Sequence, residues 1–442
     1  MNLDELRSSV EHEKIDTVVL AIPDMQGRLQ GKRLTATHFL DEVLEHGAEG
    51  CNYLLATDVE MNTVSGYAIS SWDLGYGDFM MKPDLDTLRL IPWLEGTALL
   101  LADLEWDSGN PVVESPRRIL RAQLERLAER GFSANVGTEL EFLIFNDSYE
   151  EAWDKAYRGL RPANLYNTDY SLAGTARLEP LIRKIRNGMA AADMKVENSK
   201  GECNLGQHEI NFRYSGALSM ADNHAIYKSG AKEIAAQEGT SISFMAKYDE
   251  REGNSCHIHL SLADRSGKNV FADDDAAFKS FLAGQLDCLR ELCLLYAPNV
   301  NSYKRFVPGA FAPTAVAWGR DNRTCALRVV GHGEGLRLEN RLPGGDVNPY
   351  LAIAGMIAAG LSGIDRGLEL EPAFEGNAYE SGKARVPTTL RDAQELFSQS
   401  GVAREALGEE VVAHYAQAAE VELNAFEAAV TDWEMFRGFE RL

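Results

Sequence analysis

The stretch Gly137-Thr138-Glu139-Leu140-Glu141-Phe142 sets two carboxylates two residues apart among apolar neighbours. The alternation predicts a strand. Successive strand side chains point to opposite faces, so Glu139 and Glu141 share a face, roughly 6.6 Å apart along it. Two like charges that close call for a cation. Taken alone, the stretch is equally a solvated strand face, but three later stretches repeat the arrangement. Glu202 precedes Gln207-His208-Glu209, in which Gln207 and Glu209 share a face. His257-Ile258-His259 puts two imidazoles on one face of an apolar strand, and Glu339-Asn340-Arg341 pairs a carboxylate with a guanidinium. A single buried histidine is ordinarily a hydrogen-bonded core residue. Five carboxylates and a histidine on alternating strands need another explanation. Oxygen-rich donor sets suit Mg²⁺ or Mn²⁺, and one imidazole per set is compatible with Mn²⁺. The pattern predicts a site for more than one divalent cation, lined by strands that turn charged faces inward.

The elements that must carry these residues are legible in outline. Residues 4–12 and 37–46 read as helices, the second closed by Gly47, and 17–22 and 97–103 as strands. With the Gly- and Pro-punctuated stretch 50–110, they predict a small mixed α+β domain over residues 1–108. Ser115 and Pro116 then open a helix whose apolar stripe is Ile119, Leu120, Leu124 and Leu127. Residues 150–180 read as a long loop with Trp153, Tyr157, Tyr166 and Tyr170, and loops of that length are usually functional. Further helices are expected at 179–192, 223–238, 276–297, 349–366, 390–398 and 409–430, with a strand at 242–247.

Composition narrows the function classes. With 442 residues and 45% apolar content, the chain can bury a large core in two or three domains. A net charge of −23 argues against nucleic acid or an anionic membrane surface as the main partner. Residues 301–341 reverse that sign, with seven cations against three anions, which points to a local anionic ligand. The cysteines form no CxxC pair, so neither a zinc ribbon nor a disulfide framework is expected. The amino terminus lacks an apolar signal core and no run is long enough to span a bilayer, which predicts a cytoplasmic protein.

Six motifs then occur in order: Gly-Thr-Glu-Leu-Glu-Phe (137–142), Gly-Gln-His-Glu-Ile (206–210), His-Ile-His-Leu-Ser (257–261), Asn-Ser-Tyr-Lys-Arg-Phe-Val-Pro-Gly (301–309), Asp-Asn-Arg (321–323) and Glu-Asn-Arg-Leu-Pro with Asn-Pro-Tyr (339–350). In order and spacing the chain resembles the glutamine synthetase family over essentially its whole length. The resemblance implies an α+β fold: an N-terminal β-grasp-like domain (1–108) and a catalytic domain (109–442) on a curved antiparallel sheet. It implies ATP as phosphoryl donor, with Mg²⁺ or Mn²⁺ as two or more ions per site. By resemblance, Glu141, Glu202 and Glu209 hold the metal nearer glutamate, while Glu139, His257 and Glu339 hold the metal nearer ATP. Arg305 would grip the α-carboxylate of glutamate and Arg341 its γ-carboxylate, with Gly253 in the loop beside them and Tyr170 on the substrate side. Arg323, Arg328 and Arg337 correspond to positions near the phosphates, and His259 and Ser261 to positions near the nucleotide. The implied assembly is a dodecamer of two stacked hexamers with active sites between subunits.

The nucleophile half departs from the ammonia-using members. They carry a Glu two residues after Val-Pro-Gly, where this chain has Phe311. Their Asp-Gly-Ser-Ser segment is replaced by a stretch that keeps two acids, Asp58 and Glu60, as candidates to bind or deprotonate an amine in a neighbouring subunit's site. This combination resembles the γ-glutamylamide ligases of the family, which join glutamate to an organic amine. Ethanolamine is the favoured amine and a polyamine the alternative. An ammonia-using synthetase and a non-catalytic oligomer are the remaining readings.

Overall fold

The computed structural model describes residues 1–442. Two sheets organise the chain. The first contains β1 (Thr17–Pro23), β2 (Leu29–Thr35), β3 (Ala48–Cys51), β4 (Asp78–Leu90) and β5 (Thr97–Glu105), in the order β2-β1-β5-β4-β3. β1 and β5 run parallel and the other neighbours antiparallel. The turn between β1 and β2 is built by Asp24, whose Oδ1 accepts the amides of Gln26 and Arg28, both at 2.9 Å.

The second sheet contains β6 (Ser133–Phe145), β7 (Val196–Gly201), β8 (Gln207–Phe212), β9 (Ser215–Gly216), β10 (Ser241–Ser243), β11 (Cys256–Ala263), β12 (Trp318–Arg320), β13 (Leu327–Val330) and β14 (Arg337–Asn340). Its order is β12-β13-β14-β11-β6-β8-β7, with β9 and β10 pairing onto β6. The pairing is antiparallel except at one end, where β12 and β13 are parallel. The architecture is α+β with a mostly antiparallel second sheet, as the motifs implied. One apolar core runs from Leu6 to Leu423 through both sheets.

Helices close the back of the second sheet. Ala217–Gln237 and Pro349–Arg366 are buried along most of their length. Pro349–Arg366 also packs against Asp275–Cys288, and their backbones approach so closely that only glycine fits the contact. A Cβ on Gly363 would lie 2.0 Å from the Ser280 carbonyl oxygen, and one on Gly284 would lie 2.2 Å from that of Ala359. Arg117 ties the first sheet to the helix Ala217–Gln237. It is buried, and its guanidinium reaches Asp84 of β4 and Asp103 of β5 at 2.6 Å each and Asp222 of the helix Ala217–Gln237 at 3.0 Å. Removing one partner from so buried a set costs about 3–5 kcal/mol. No helix is long and apolar enough to cross a membrane.

Several elements differ from expectation. The helix expected at 276–297 is broken into Asp275–Cys288 and Cys293–Tyr296, in a stretch with no Gly or Pro to mark the break. The strand expected at 242–247 ends at Ser243. Beyond it, the Asn254 amide takes the Met245 carbonyl at 2.8 Å, and Asn301 brackets the Lys247 backbone at 2.8 and 2.9 Å, so side chains take the place of a partner strand. The loop at 150–180 holds the short helices Tyr149–Asp154 and Leu172–Thr175, each begun by a serine cap. The helix expected from 223 begins at Ala217, and Gly401–Leu407 and Asp432–Gly438 form helices that the periodicity did not mark.

Candidate active site

Strand register decides which charged residues meet. β11 pairs with β6 so that His257 faces Glu139, and with β14 so that His259 faces Glu339. β8 pairs with the other edge of β6, setting Glu209 opposite Glu141. Glu202 follows β7 directly, and its amide bonds the Gln207 carbonyl at 2.9 Å, which turns the chain back toward β8. Two compact donor sets result: Glu139, His257 and Glu339, and separately Glu141, Glu202 and Glu209. Within each set the ligand atoms lie within 4.8 Å of one another.

The first set is braced by two arginines and a second histidine. His257 Nδ1 lies 3.4 Å from Glu139 and 3.6 Å from Glu339, and His259 Nε2 lies 3.0 Å from Glu139. Arg328 donates to Glu339 at 2.8 Å and Arg341 donates to its other oxygen. Burial opposes ionisation of Glu339, but His257, Arg341 and His259 beside it pull its pKa down to about 2. Glu139 is likewise held well below the carboxylate range, by the adjacent His257 and His259 rings against the cost of burial.

The second set has a weaker counter-charge, Lys200 beside Glu202. Burial, and then the Glu202 charge, holds Glu141 above the usual carboxylate range; burial, and then Glu139 and Glu141, does the same to Glu209. Glu141 accepts from the Ser255 amide at 2.7 Å and from Gln207 at 3.1 Å, and Asn211 donates to Glu209 at 2.7 Å. Three crowded carboxylates, two of them buried, are an unfavourable group with so little counter-charge and a fitting one for a hard divalent ion. The donors present therefore fit the expected metals at both sets.

Both sets open on a cavity of about 710 Å³ that also takes in Gly253, Phe311, Tyr170, Arg323, Arg328 and Arg341. A second cavity of about 460 Å³ adjoins it through Glu139, Asn198 and Asn211, and collects His259, Ser261 and Arg337. Arg337 Nε donates to His259 Nδ1 at 3.2 Å, which assigns Nε2 of that ring to the Glu139 side. Arg305 is buried against Ser255 Oγ at 2.9 Å and the Leu342 carbonyl at 2.7 Å. Gly253 lies on its stem: a Cβ there would be 2.7 Å from Arg305 Cγ and 2.3 Å from the Ala246 carbonyl oxygen. Arg341 also donates to the Phe311 carbonyl at 3.3 Å.

Two aromatic residues on the cavity, Tyr170 and Phe311, hold left-handed backbone, both at φ +54°. Such residues store strain and cluster at ligand clamps. Asp58 and Glu60 line neither cavity of their own chain; Asp58 bonds Asn62 and sits in a small pocket near Glu422. One residue was missed by the motif reading. Lys200 of β7 pairs with Glu202, lies 3.5 Å from Asp169 and stands over the Tyr170 ring at 4.5 Å. The two-residue spacing from Glu202 was the available signal.

Residues 113–437 match the catalytic domain of glutamine synthetase. The chain belongs to the glutamine synthetase family. It is 66% identical over 445 residues to a gamma-glutamylethanolamide synthetase of Streptomyces coelicolor, covering 100% of this chain and 96% of that protein. A glutamate–isopropylamine ligase of Pseudomonas sp is 36% identical over 444 residues, covering 98% and 97%. Among solved structures, the GmaS/ADP complex in conformation 1 superposes with a TM-score of 0.87 at 27% identity, covering 98% of this chain and 99% of that one.

Proposed function

We propose that this protein is an ATP-dependent ligase that joins the γ-carboxylate of glutamate to an organic amine, with ethanolamine favoured. The observation that carries the reading is the 66% identity, along the whole chain, to a gamma-glutamylethanolamide synthetase. The site's geometry supports it: the metal and phosphate residues of the family are assembled, while Phe311 stands where ammonia-using members carry a carboxylate.

In this reading Arg305 binds the α-carboxylate of glutamate, with Gly253 leaving room beside it. Arg341 binds the γ-carboxylate, and Arg323, Arg328 and Arg337 face the ATP phosphates. His259 and Ser261 lie toward the nucleotide. Glu139, His257 and Glu339 would hold one Mg²⁺ or Mn²⁺ and Glu141, Glu202 and Glu209 another. Bound there, the ions would neutralise and orient the phosphate and carboxylate oxygens. The γ-carboxylate takes the terminal phosphoryl group and ADP is released. The arginines stabilise the charge on the transferring oxygens. A neutral amine then attacks the acyl carbon, the C–N bond forms, phosphate leaves, and the amine's surplus proton passes to a carboxylate. Asp58 or Glu60 of a neighbouring copy would supply that acid, with Tyr170 and Phe311 walling the amine. The phenyl ring of Phe311 can pack on carbon and attract a cation, but it cannot take a proton. The same reading carries the division at residues 108/109, a dodecamer of two stacked hexamers, and a cytoplasmic location.

The test is product formation from ATP, glutamate and Mg²⁺ with ammonium, ethanolamine, putrescine or isopropylamine, followed by phosphate release and product mass. The expected result is the highest kcat/KM with ethanolamine. Glutamine formed from ammonium as efficiently as any amide would overturn the reading. A preference for putrescine would keep the ligase and reverse the choice of amine.

A further inference from the structure

We propose that Lys200 sets the choice of amine, favouring a tail that accepts a hydrogen bond over a tail that carries a second positive charge. This rests on the amine-ligase reading above and deepens it. Lys200 is the only lysine lining the large cavity. Of the cavity's three arginines, Arg328 and Arg341 are engaged at the other donor set through Glu339, and Arg323 falls among the phosphate residues of the reading above. Lys200 is held in place from three sides. Its β7 position pairs with Glu209 of β8, its ammonium meets Glu202 and Asp169, and the Tyr170 ring lies 4.5 Å away. Its side chain is 19% exposed, so the charge is neither free in solvent nor sealed from the cavity.

A simple counter-charge to Glu202 would explain the first contact only. Asp169 and Tyr170 also line the cavity, and Tyr170 is 73% exposed with a left-handed backbone. Lys200 therefore sits where a ligand would lie against Tyr170. An ammonium has three donors and no acceptor. Glu202 engages one of them and Asp169 lies 3.5 Å away as an ion-pair partner, so at least one donor stays open to a ligand.

The chemistry of the nucleophile makes this charge selective. An amine must shed one proton before it attacks. A monoamine is then neutral, and a hydroxyl on its tail can accept from Lys200. A diamine keeps its second ammonium, which meets Lys200 in a partly buried cavity. Like charges at such separations shift an equilibrium by about tenfold or more. Asp169 cannot serve the second ammonium freely, because Lys200 already pairs with it.

The experiment compares kcat/KM for ethanolamine, n-propylamine and 1,3-diaminopropane in wild type, Lys200→Met, Lys200→Gln and Lys200→Arg. These amines share glutamate phosphorylation, so their ratios cancel a general loss of turnover. The expected result is a fall of about tenfold or more in the ethanolamine-to-diaminopropane ratio in both neutral variants. Ethanolamine should also lose ground to n-propylamine there, and Lys200→Arg should keep the wild-type ratios. Ratios unmoved in whichever neutral variant folds, or moved equally by Lys200→Arg, would overturn the proposal. So would a wild-type preference for the diamine over ethanolamine. A wild-type protein that makes no amide with any amine would instead overturn the ligase reading beneath it.

Discussion

Replacing Arg341 by lysine keeps the charge at the centre of the site and removes its fork. The guanidinium is almost completely buried and spans two groups: it donates to Glu339 of one donor set and, at 3.3 Å, to the Phe311 carbonyl. A lysine ammonium is a point charge that can keep Glu339 but cannot span both groups. One charged hydrogen bond is worth about 1.5–3 kcal/mol. If it acts on the transferring phosphoryl group, kcat falls by roughly ten- to a hundredfold. The Phe311 backbone, already at φ +54°, also loses a fixed partner, so the KM for the amine should rise as well. The assay is ADP release at saturating ATP, glutamate and amine, with thermal unfolding to verify the fold. A kcat within about twofold of wild type would refute the reasoning. A raised KM at constant kcat would assign Arg341 to uniform binding rather than to the transition state.

Glu139→Ala, Glu202→Ala and His257→Ala should each abolish activity in Mg²⁺ or Mn²⁺, because each removes a donor and leaves its set unbalanced. Near wild-type turnover in two of the three would sink the metal assignment. His414 provides a pH test away from the site. Burial against Tyr67 and Tyr415 pushes its pKa down to about 4, and burial, reinforced by Lys228, pushes that of His224 down to about 3. A depressed folded pKa stabilises the protein above the unfolded value near 6.5, and that stability is lost as pH falls toward 4. For His414 the loss is on the order of 3 kcal/mol. Denaturant unfolding between pH 7.5 and 4.5 should show the decline, and His414→Gln should flatten it; an unchanged slope in that variant would refute the assignment.

Much of the site was legible in the sequence because strand periodicity is local. Two-residue spacing is enough to put Glu139 with Glu141 and His257 with His259 on shared faces. The order of six motifs carried the family, and the deviation at Phe311 pointed toward an organic amine. Helices with a clear start and stop, such as Pro349–Arg366, matched their periodicity because Pro at the start and Gly367 at the end are themselves the physical signals. Other features depended on partners far along the chain. The strand at Ser241–Ser243 stops early because Asn254 and Asn301 capture the backbone beyond it. Arg117 reads as one more cation on an amphipathic helix, yet it joins two aspartates of the first sheet to a third on the helix Ala217–Gln237. Lys200 reads as a strand charge until the β7–β8 register and the Tyr170 loop enclose it. Periodicity tells a side chain which face to take. Only the pairing of strands separated by tens to hundreds of residues decides what it meets there, and that choice is made by burial of the whole core rather than by any one segment.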